Sequence, residues 1–551
     1  MYTAPIHELK ARAGAALLCL AWLLPTLIGH DPWKPDEAYS FGLVWHILDT
    51  GDWVVPALAG EPFMEKPPLF YLSAAAFAKL FSPLLPYHDG ARLAAGFYMA
   101  LALLFTALAA REICGRALAA VVALLASSGL LVWSHLLITD TALLAGIAIA
   151  LSGFALGARR PVMGAISLGT GAGVAFLSKG LLGPGMLGLT AVALLLLFPA
   201  WRTRGYARFL LMAAIAALPW FAIWPVALYL RSPELFGQWF WVNNVGRFVG
   251  FSTLSSPNQP FFYFLLLPLY ALPAVALALY ALVRTLYERS VHPALQIPIA
   301  ATIAMLLVLS VAHDARDVYA LPLLLPLSIL AASVLTLTPR WLGTTLTSLG
   351  TLATLTAALV LWLAWFAIDF GVPRLAADYL RAALPHYILN RSPGAIVLAV
   401  LYTSACVVAL MVWRRHLLRP LLPWAIAHTL LLGLIAALFL PTLDYTKSYR
   451  LPVFRLAQNL PPTYACIGSV GLGEPQRAML HYFAGITTTR VDAPEDTPCE
   501  LLLIQNDTGH GHRPDAEIWE LIWQGARPGD RKEQLQLLTR RASVHQAAGD
   551  Y

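Results

Sequence analysis

The chain has 551 residues, 59% of them hydrophobic and only 12% charged, with a formal net charge of +7. A soluble domain carries about a quarter charged residues, so a water-surrounded globule is excluded for most of this length. Nucleic acid is excluded as a partner too, because the arginines fall in short clusters between apolar runs rather than along one polar face.

Lys10 and Arg12 precede the first apolar run, which resembles a signal sequence. No A-x-A site followed by a soluble mature domain appears, so the run reads as an uncleaved first span. In all, about thirteen runs approach the ~20 apolar residues that cross a bilayer as helix, centred roughly on residues 20, 101, 126, 148, 170, 190, 218, 272, 302, 328, 356, 403 and 430.

Between the first two runs, residues 31–90 contain nothing long enough to span. Phe41, Val44, Trp45 and Leu48 recur at helical spacing, as do Leu69, Leu72, Ala76 and Leu80, which predicts two amphipathic helices on the membrane surface. This segment also carries chemistry. In DPWKPDEAYSFG, Asp36 and Glu37 follow Pro35; they serve either as the acidic first turn of a helix or as reacting acids. In GEPFMEKPPLFYL, the two prolines after Glu65 and Lys66 impose an extended entry to the second surface helix and hold Lys66 near the headgroup layer. The alternative is that Glu65 and Lys66 engage separate surface partners.

Further along, TDTALL places Asp140 at the outer end of the fourth span, as an N-cap or as a second acid. Lys179 in FLSKGLLGPG, Arg247 in WVNNVGRF and Arg316 in AHDARDVYALP join Lys66 on the outer side, against the usual cytoplasmic bias of basic residues. Four such exceptions suggest an anionic ligand, with a lipid phosphate at the interface the natural one; each alone could be a snorkelling side chain or an ion pair. His135 and His313 lack spaced partners and read as interfacial polar residues, and Trp239, Phe240 and Trp241 as an aromatic belt.

With the N-terminus inside, the inner connections hold Arg111 and Arg116, Arg159 and Arg160, Arg202, Arg204 and Arg208, Arg284 and Arg289, Arg340, and Arg414, Arg415 and Arg419. Most acids fall on the other face. Two more outer segments, about 231–260 and 371–392, read as mixed polar and aromatic loops. Residues 1–443 form the membrane domain, and from Asp444 to Tyr551 the composition becomes that of a soluble α/β domain, extracytoplasmic if the number of spans is odd. There ACIGSVG predicts a strand, PQRAMLHYFAGI a helix, CELLLIQND a strand and DAEIWELIWQG a helix. Cys466 and Cys499 each open a strand and either pair or lie buried as small residues. Cys19, Cys114 and Cys406 lie in or near spans. No Cys or His spacing supports a metal, although a divalent ion is compatible with outer-face acids, and GSVGLG is too weak a pattern for a nucleotide site.

The ordered set of an acid after the first span, GEPFMEKPPL, an acid opening the fourth span, FLSKGLLGP, WVxxxxRF and RDVYALPLLLPL resembles the bacterial branch of the protein O-mannosyltransferase family, above all its lipid A aminoarabinose transferases. The resemblance covers roughly residues 15–340 by motif and the remainder by layout. It implies an all-α polytopic membrane protein with about thirteen spans, surface helices in its first periplasmic loop and a small C-terminal α/β periplasmic domain. It also implies a C-type glycosyltransferase of the bacterial inner membrane that passes a sugar from a polyprenyl phosphate to lipid A or another outer-face acceptor. By the matching positions Asp36, Glu37 and Asp140 would be the catalytic acids; Glu65, Lys66, Lys179, Arg247, Arg316 and Tyr319 would bind substrate. Two departures concern the sugar and acceptor: Tyr39 and Ser40 replace an Arg-Tyr pair, and Asn243 and Asn244 stand where the relatives have an acid and His. A related transferase that moves another sugar to a glycolipid, polysaccharide or protein is the near alternative. A lipid or solute transporter would place charges near the midplane in repeated halves, neither of which is visible. A receptor would leave the outer-face cations without a role.

Overall fold

The computed structural model describes residues 4–251, 258–288, 290–385, 387, 392–413, 416–507 and 514–541. Arg289, Arg414 and Arg415 of the inner clusters lie outside these. Among the described residues, nine helices are long and apolar enough to cross a membrane, or ten if Phe262–Tyr270 and Ala274–Tyr287, bent by 113°, form one span. The expected thirteen differ in runs that are apolar without being long helices. Ala13–Leu23 and Leu182–Leu197 are shorter. The run near residue 126 breaks into Ala117–Leu125 and Ser128–Trp133, with Ser127 turning its hydroxyl onto the Ala123 carbonyl at 3.0 Å. Hydropathy counts apolar residues and is blind to such breaks.

Two spans set the geometry of the outer face. Asp140–Gly157 and Pro161–Lys179 form a tight helical hairpin, so the first residue of one and the last of the other meet at the same end. Small residues permit the approach: a Cβ on Gly171 would lie 2.4 Å from the Ala150 nitrogen, the close backbone contact typical of helices packing in lipid.

The two helices expected in the first outer loop form, as Asp36–Thr50 and Leu69–Phe81. The first buries Phe41, Val44 and Ile47; the second buries Phe70, Tyr71, Ala74 and Ala78 and turns Ala76 and Leu80 outward. Between them a hairpin pairs β1 (Ala57–Leu58) with β2 (Glu61–Pro62), its turn closed by Gly60 at φ 88°. In the second outer segment the described residues 233–249 are helical rather than a loop, with Pro233–Gly237 running into a π-helical stretch, Gln238–Gly246; residues 252–257 lie outside the described residues. Trp239 is not part of a belt: it is 1% exposed and packs edge-on against Trp224 and Phe176, while Trp241 does face outward. The third segment contains a helix too, Arg374–Ala383.

The C-terminal region is a mixed five-stranded sheet with a helix over it. β3 (Ile467–Val470) leads to helix Glu474–Ala484, then β4 (Thr489–Arg490), β5 (Leu501–Asp507), β6 (Trp519–Gly525) and β7 (Glu533–Arg540). Their order is β4-β3-β5-β7-β6, parallel around β3 and antiparallel beyond β5. The helix expected at DAEIWELIWQG is instead strand β6. Its apolar residues fit a helical stripe, but pairing along β7 gives their backbone groups partners, and aromatic and β-branched side chains favour the pleat. Cys466 and Cys499 are joined by a disulfide across the starts of the adjacent strands β3 and β5. Helix Glu474–Ala484 lies on helix Asp36–Thr50. Gly42 makes this contact possible, since a Cβ there would come 2.5 Å from that of Ala478.

Candidate functional site

The outer ends of these elements enclose a polar chamber of about 390 Å³. Asp36 enters from the first turn of its helix, Lys66 from a bend before Pro67, where an extended entry was expected, and Asp140 and Lys179 from the paired ends of the helical hairpin. Arg316 comes from the residue before the span Asp317–Leu337 and Tyr319 from its first turn, and Glu65 and Arg247 close the side. Eight of the nine residues singled out in the sequence line this space. A second cavity of about 360 Å³, walled largely by Leu181, Leu182, Val245, Phe248, Val249, Val308 and Leu309, joins it and shares Glu65, Lys66, Lys179, Arg247 and Tyr319. The cations therefore stand where a charged chamber meets an apolar groove.

Charges in the chamber are paired but not saturated. Arg316 donates to Asp36 Oδ2 at 2.9 Å; the other Asp36 oxygen has no hydrogen-bond partner among the described residues. Lys179 donates to Asp140 and sits 4.3 Å above the Tyr319 ring. Arg247 lies between Glu65, at 3.7 Å, and Asp314, at 4.0 Å. Lys66 donates to the Tyr39 hydroxyl and makes no ion pair among the described residues. Burial would lower the Lys66 pKa, yet Tyr71, Glu65, Asp140 and Asp36 outweigh it and raise the value, so Lys66 is held as a cation able to accept an anionic ligand. Burial, then the charges of Asp36 and Glu65, push Tyr39 well above the ordinary phenol value, so it stays a hydroxyl.

Glu37 is the residue the structure does not bring to the chamber. Its side chain points inward, 1% exposed, and accepts from Arg92 Nε at 2.9 Å, the Leu137 amide at 2.9 Å and the Trp33 amide at 3.3 Å. Arg92 in turn bonds Asp89 at 2.8 Å and the His30 and Asp31 carbonyls. Burial alone would raise the Glu37 carboxyl; Arg92 and His30 more than offset it and hold it below its usual range. Consecutive helical residues point about 100° apart, which sends Asp36 to the chamber and Glu37 to the interior.

Several chamber residues escaped sequence reasoning. Tyr39 stood out only as a departure from the family pattern. Trp133 bonds Asp317 through its indole at 3.2 Å. Glu474, Arg477 and Arg490 come from the C-terminal domain, and the strand-turn-helix GSVGLGEPQR was the only local signal. Asn244 has a structural task. Its Oδ1 accepts from the Leu181 amide at 3.1 Å against Gly180, whose φ of 67° and lack of a side chain admit it, so it fastens the turn behind Lys179. His135 is interior, bonded to the Trp22 carbonyl, and His313 stays partly exposed beside Asp314. Among the described residues no three His, Cys, Asp or Glu gather as metal ligands.

The architecture matches solved proteins over its whole length. ArnT from Cupriavidus metallidurans, solved with undecaprenyl phosphate, superposes with a TM-score of 0.68 at 20% identity, covering 98% of each chain; its apo form gives the same score over 97% and 98%. The chain therefore shares the fold of that protein. The resemblance read from the motifs is thereby borne out. No family model matches the chain. Among curated proteins, it is similar to the undecaprenyl phosphate-alpha-4-amino-4-deoxy-L-arabinose arabinosyl transferases. With that of Yersinia enterocolitica it shares 28% identity over 342 residues, 60% of each chain. The protein numbered 1 of Sodalis glossinidius is 31% identical over 58% of this chain and 57% of its own, and that of Pseudomonas aeruginosa 29% over 76% and 74%. The chain spans about 60% of the length of the Yersinia relative. In this fold the first-loop helices, the helical hairpin and the C-terminal sheet domain converge on one chamber.

Proposed function

We propose that this protein is an inner-membrane glycosyltransferase that moves a sugar from a polyprenyl-phosphate donor to an acceptor at the periplasmic face, most like transfer of 4-amino-4-deoxy-L-arabinose to lipid A. The observation that carries this reading is the seat of Lys66, Lys179 and Arg247 where the polar chamber opens into the apolar groove. A lipid-phosphate sugar has the same sequence of parts: an isoprenoid chain for the groove, a phosphate for the cations and a sugar for the chamber. The N-terminus is cytoplasmic in this reading, residues 1–443 hold the catalytic chamber's membrane part and residues 444–551 cover it from the periplasm.

The bond from the anomeric carbon to the phosphate oxygen breaks, and the electron pair leaves with the phosphate. Lys66, Lys179 and Arg247 stabilise that growing negative charge, a term that reaches several kcal/mol in a site shielded from water. The acceptor oxygen attacks from the opposite side. Asp36, with one oxygen fixed by Arg316, presents the other to the acceptor; it orients an acceptor phosphate or takes the proton of an acceptor hydroxyl. Asp140 holds Lys179 in place, Tyr319 supports it from beneath, and Glu65 steadies Arg247. The similarity to the arabinosyl transferases supports the choice of sugar, and Tyr39, the one altered position that lines the chamber, marks where a different sugar would be accommodated.

Mass spectrometry of lipid A from cells that lack their own transferase and express this chain tests the reading. The expected result is lipid A heavier by one aminoarabinose residue. A different added mass identifies another sugar, and unmodified glycolipids in cells supplied with the donor contradict the assignment.

A further inference from the structure

Five of the chamber's lining residues belong to the C-terminal domain, and two of them are arginines that the donor does not require. Arg477, in the first turns of helix Glu474–Ala484, and Arg490, on β4, lie on the wall of the chamber that is not shared with the apolar groove. Both approach a single carboxylate, Glu61 of the first-loop hairpin: Arg477 at 3.0 and 2.8 Å, Arg490 at 3.6 Å. One acid between two guanidiniums leaves a net positive charge. Arg477 is 3% exposed, and its Nε has no hydrogen-bond partner among the described residues. A buried cationic donor without a partner is costly and is expected where a ligand supplies the missing acceptor.

The surroundings favour an anion as well. Six basic side chains line the chamber against four acidic ones, and the helix bearing Arg477 turns its N-terminus, with the positive end of its dipole, to the same wall. Glu474, the nearest acid on that wall, makes no ion pair among the described residues, and burial followed by repulsion from Glu65 pushes its pKa up. Protonation of Glu474 therefore meets less resistance when an anion is close. The wall itself is fixed by the Gly42–Ala478 contact and by Arg450, which bonds Asp31 through Nε at 2.8 Å, so the arginines do not swing with a loose domain.

We infer that Arg477 and Arg490 form a second anion subsite, which binds a phosphate group of a glycolipid acceptor opposite the donor phosphate held by Lys66. This rests on the transferase reading for the word acceptor, and it adds a task for the C-terminal domain: presenting the acceptor to the chamber. Two phosphates bound on opposite walls also keep apart like charges that would repel within one site.

Binding by the purified full-length protein, with undecaprenyl phosphate and diphosphorylated lipid A as separate probes, tests the subsite. Arg490 is largely exposed, so Arg490→Ala and Arg490→Lys leave the ion pair of the buried Arg477 with Glu61 in place. Arg490→Ala is expected to weaken lipid A binding about tenfold, the loss of one hydrogen bond to a charged group. It should leave undecaprenyl phosphate within twofold, and Arg490→Lys should recover part of the loss. Unchanged lipid A affinity, or equal weakening of both lipids, overturns the subsite. Sugar transfer by the unaltered protein is a separate readout: selective lipid binding without any transfer would refute the enzymatic reading and leave the anion site standing.

Discussion

Asp36 and Glu37 are neighbours in sequence and belong to opposite kinds of site. Around Glu37 every charge is answered: Arg92, Asp89, two main-chain amides and two carbonyls complete a network that water does not reach. Around Asp36 the charges face a cavity, one carboxylate oxygen has no partner among the described residues, and Lys66 leans on a neutral hydroxyl rather than an acid. The buried network ties the first loop to the spans, while the chamber leaves part of its hydrogen-bonding capacity unused among the described residues. Satisfaction of charge, more than charge itself, separates scaffold from site in this protein.

The largest contrast comes from truncating the two acids separately. Asp36→Ala should reduce sugar transfer by about three orders of magnitude, as loss of an acid at the reacting group does, with thermal unfolding unchanged. Glu37→Ala should do the reverse: it strands Arg92 in the interior, costs about 3–5 kcal/mol of stability, and lowers activity only in proportion to the folded protein that survives. Equal losses of stability in both variants would erase the distinction.

A smaller effect lies in pH. His30, stacked on Trp33 and close to Glu37, has its pKa pushed down to about 4 by burial and then by Arg92, whereas an unfolded histidine titrates near 6.5. Between these values the unfolded chain binds the extra proton, so the stabilisation is complete above about pH 6.5 and declines as pH falls toward 4. Denaturation midpoints measured across that interval should fall with pH, and His30→Asn should flatten the slope. A slope identical in both proteins would show that another group governs it.

Much of the chamber was legible before any coordinates, because its residues break rules that membrane chains otherwise obey. Lys66, Lys179, Arg247 and Arg316 are cations at the ends of the spans opposite the arginine-rich connections, and Asp140 is an acid at a span's edge. The interior placement of Glu37 is not legible in the sequence, because the direction of a side chain depends on which way its helix is rotated and Asp36 and Glu37 are equivalent as letters. The contribution of Arg477 and Arg490 was hidden for another reason. They are more than 400 residues from Asp36 along the chain, and only the seating of helix Glu474–Ala484 on Gly42 brings them there. Strand β6 reads locally as a helix because Trp519, Leu521, Ile522 and Trp523 satisfy a helical stripe as well as an edge strand, and the choice rests with β7, a partner outside the local window. The interrupted run at Ser127 escaped because hydropathy averages over the break.

Phosphate capture by the cations at the groove and acceptor steering by Asp36, as proposed, can be separated in one titration. Undecaprenyl phosphate binding is measured for the unaltered protein, Lys66→Ala and Asp36→Asn, alongside single-turnover transfer. The expected result is that Lys66→Ala loses at least about tenfold in lipid affinity, whereas Asp36→Asn binds the lipid normally and transfers nothing measurable. Lipid bound equally well without Lys66, or sugar still transferred without the Asp36 carboxylate, would contradict the account.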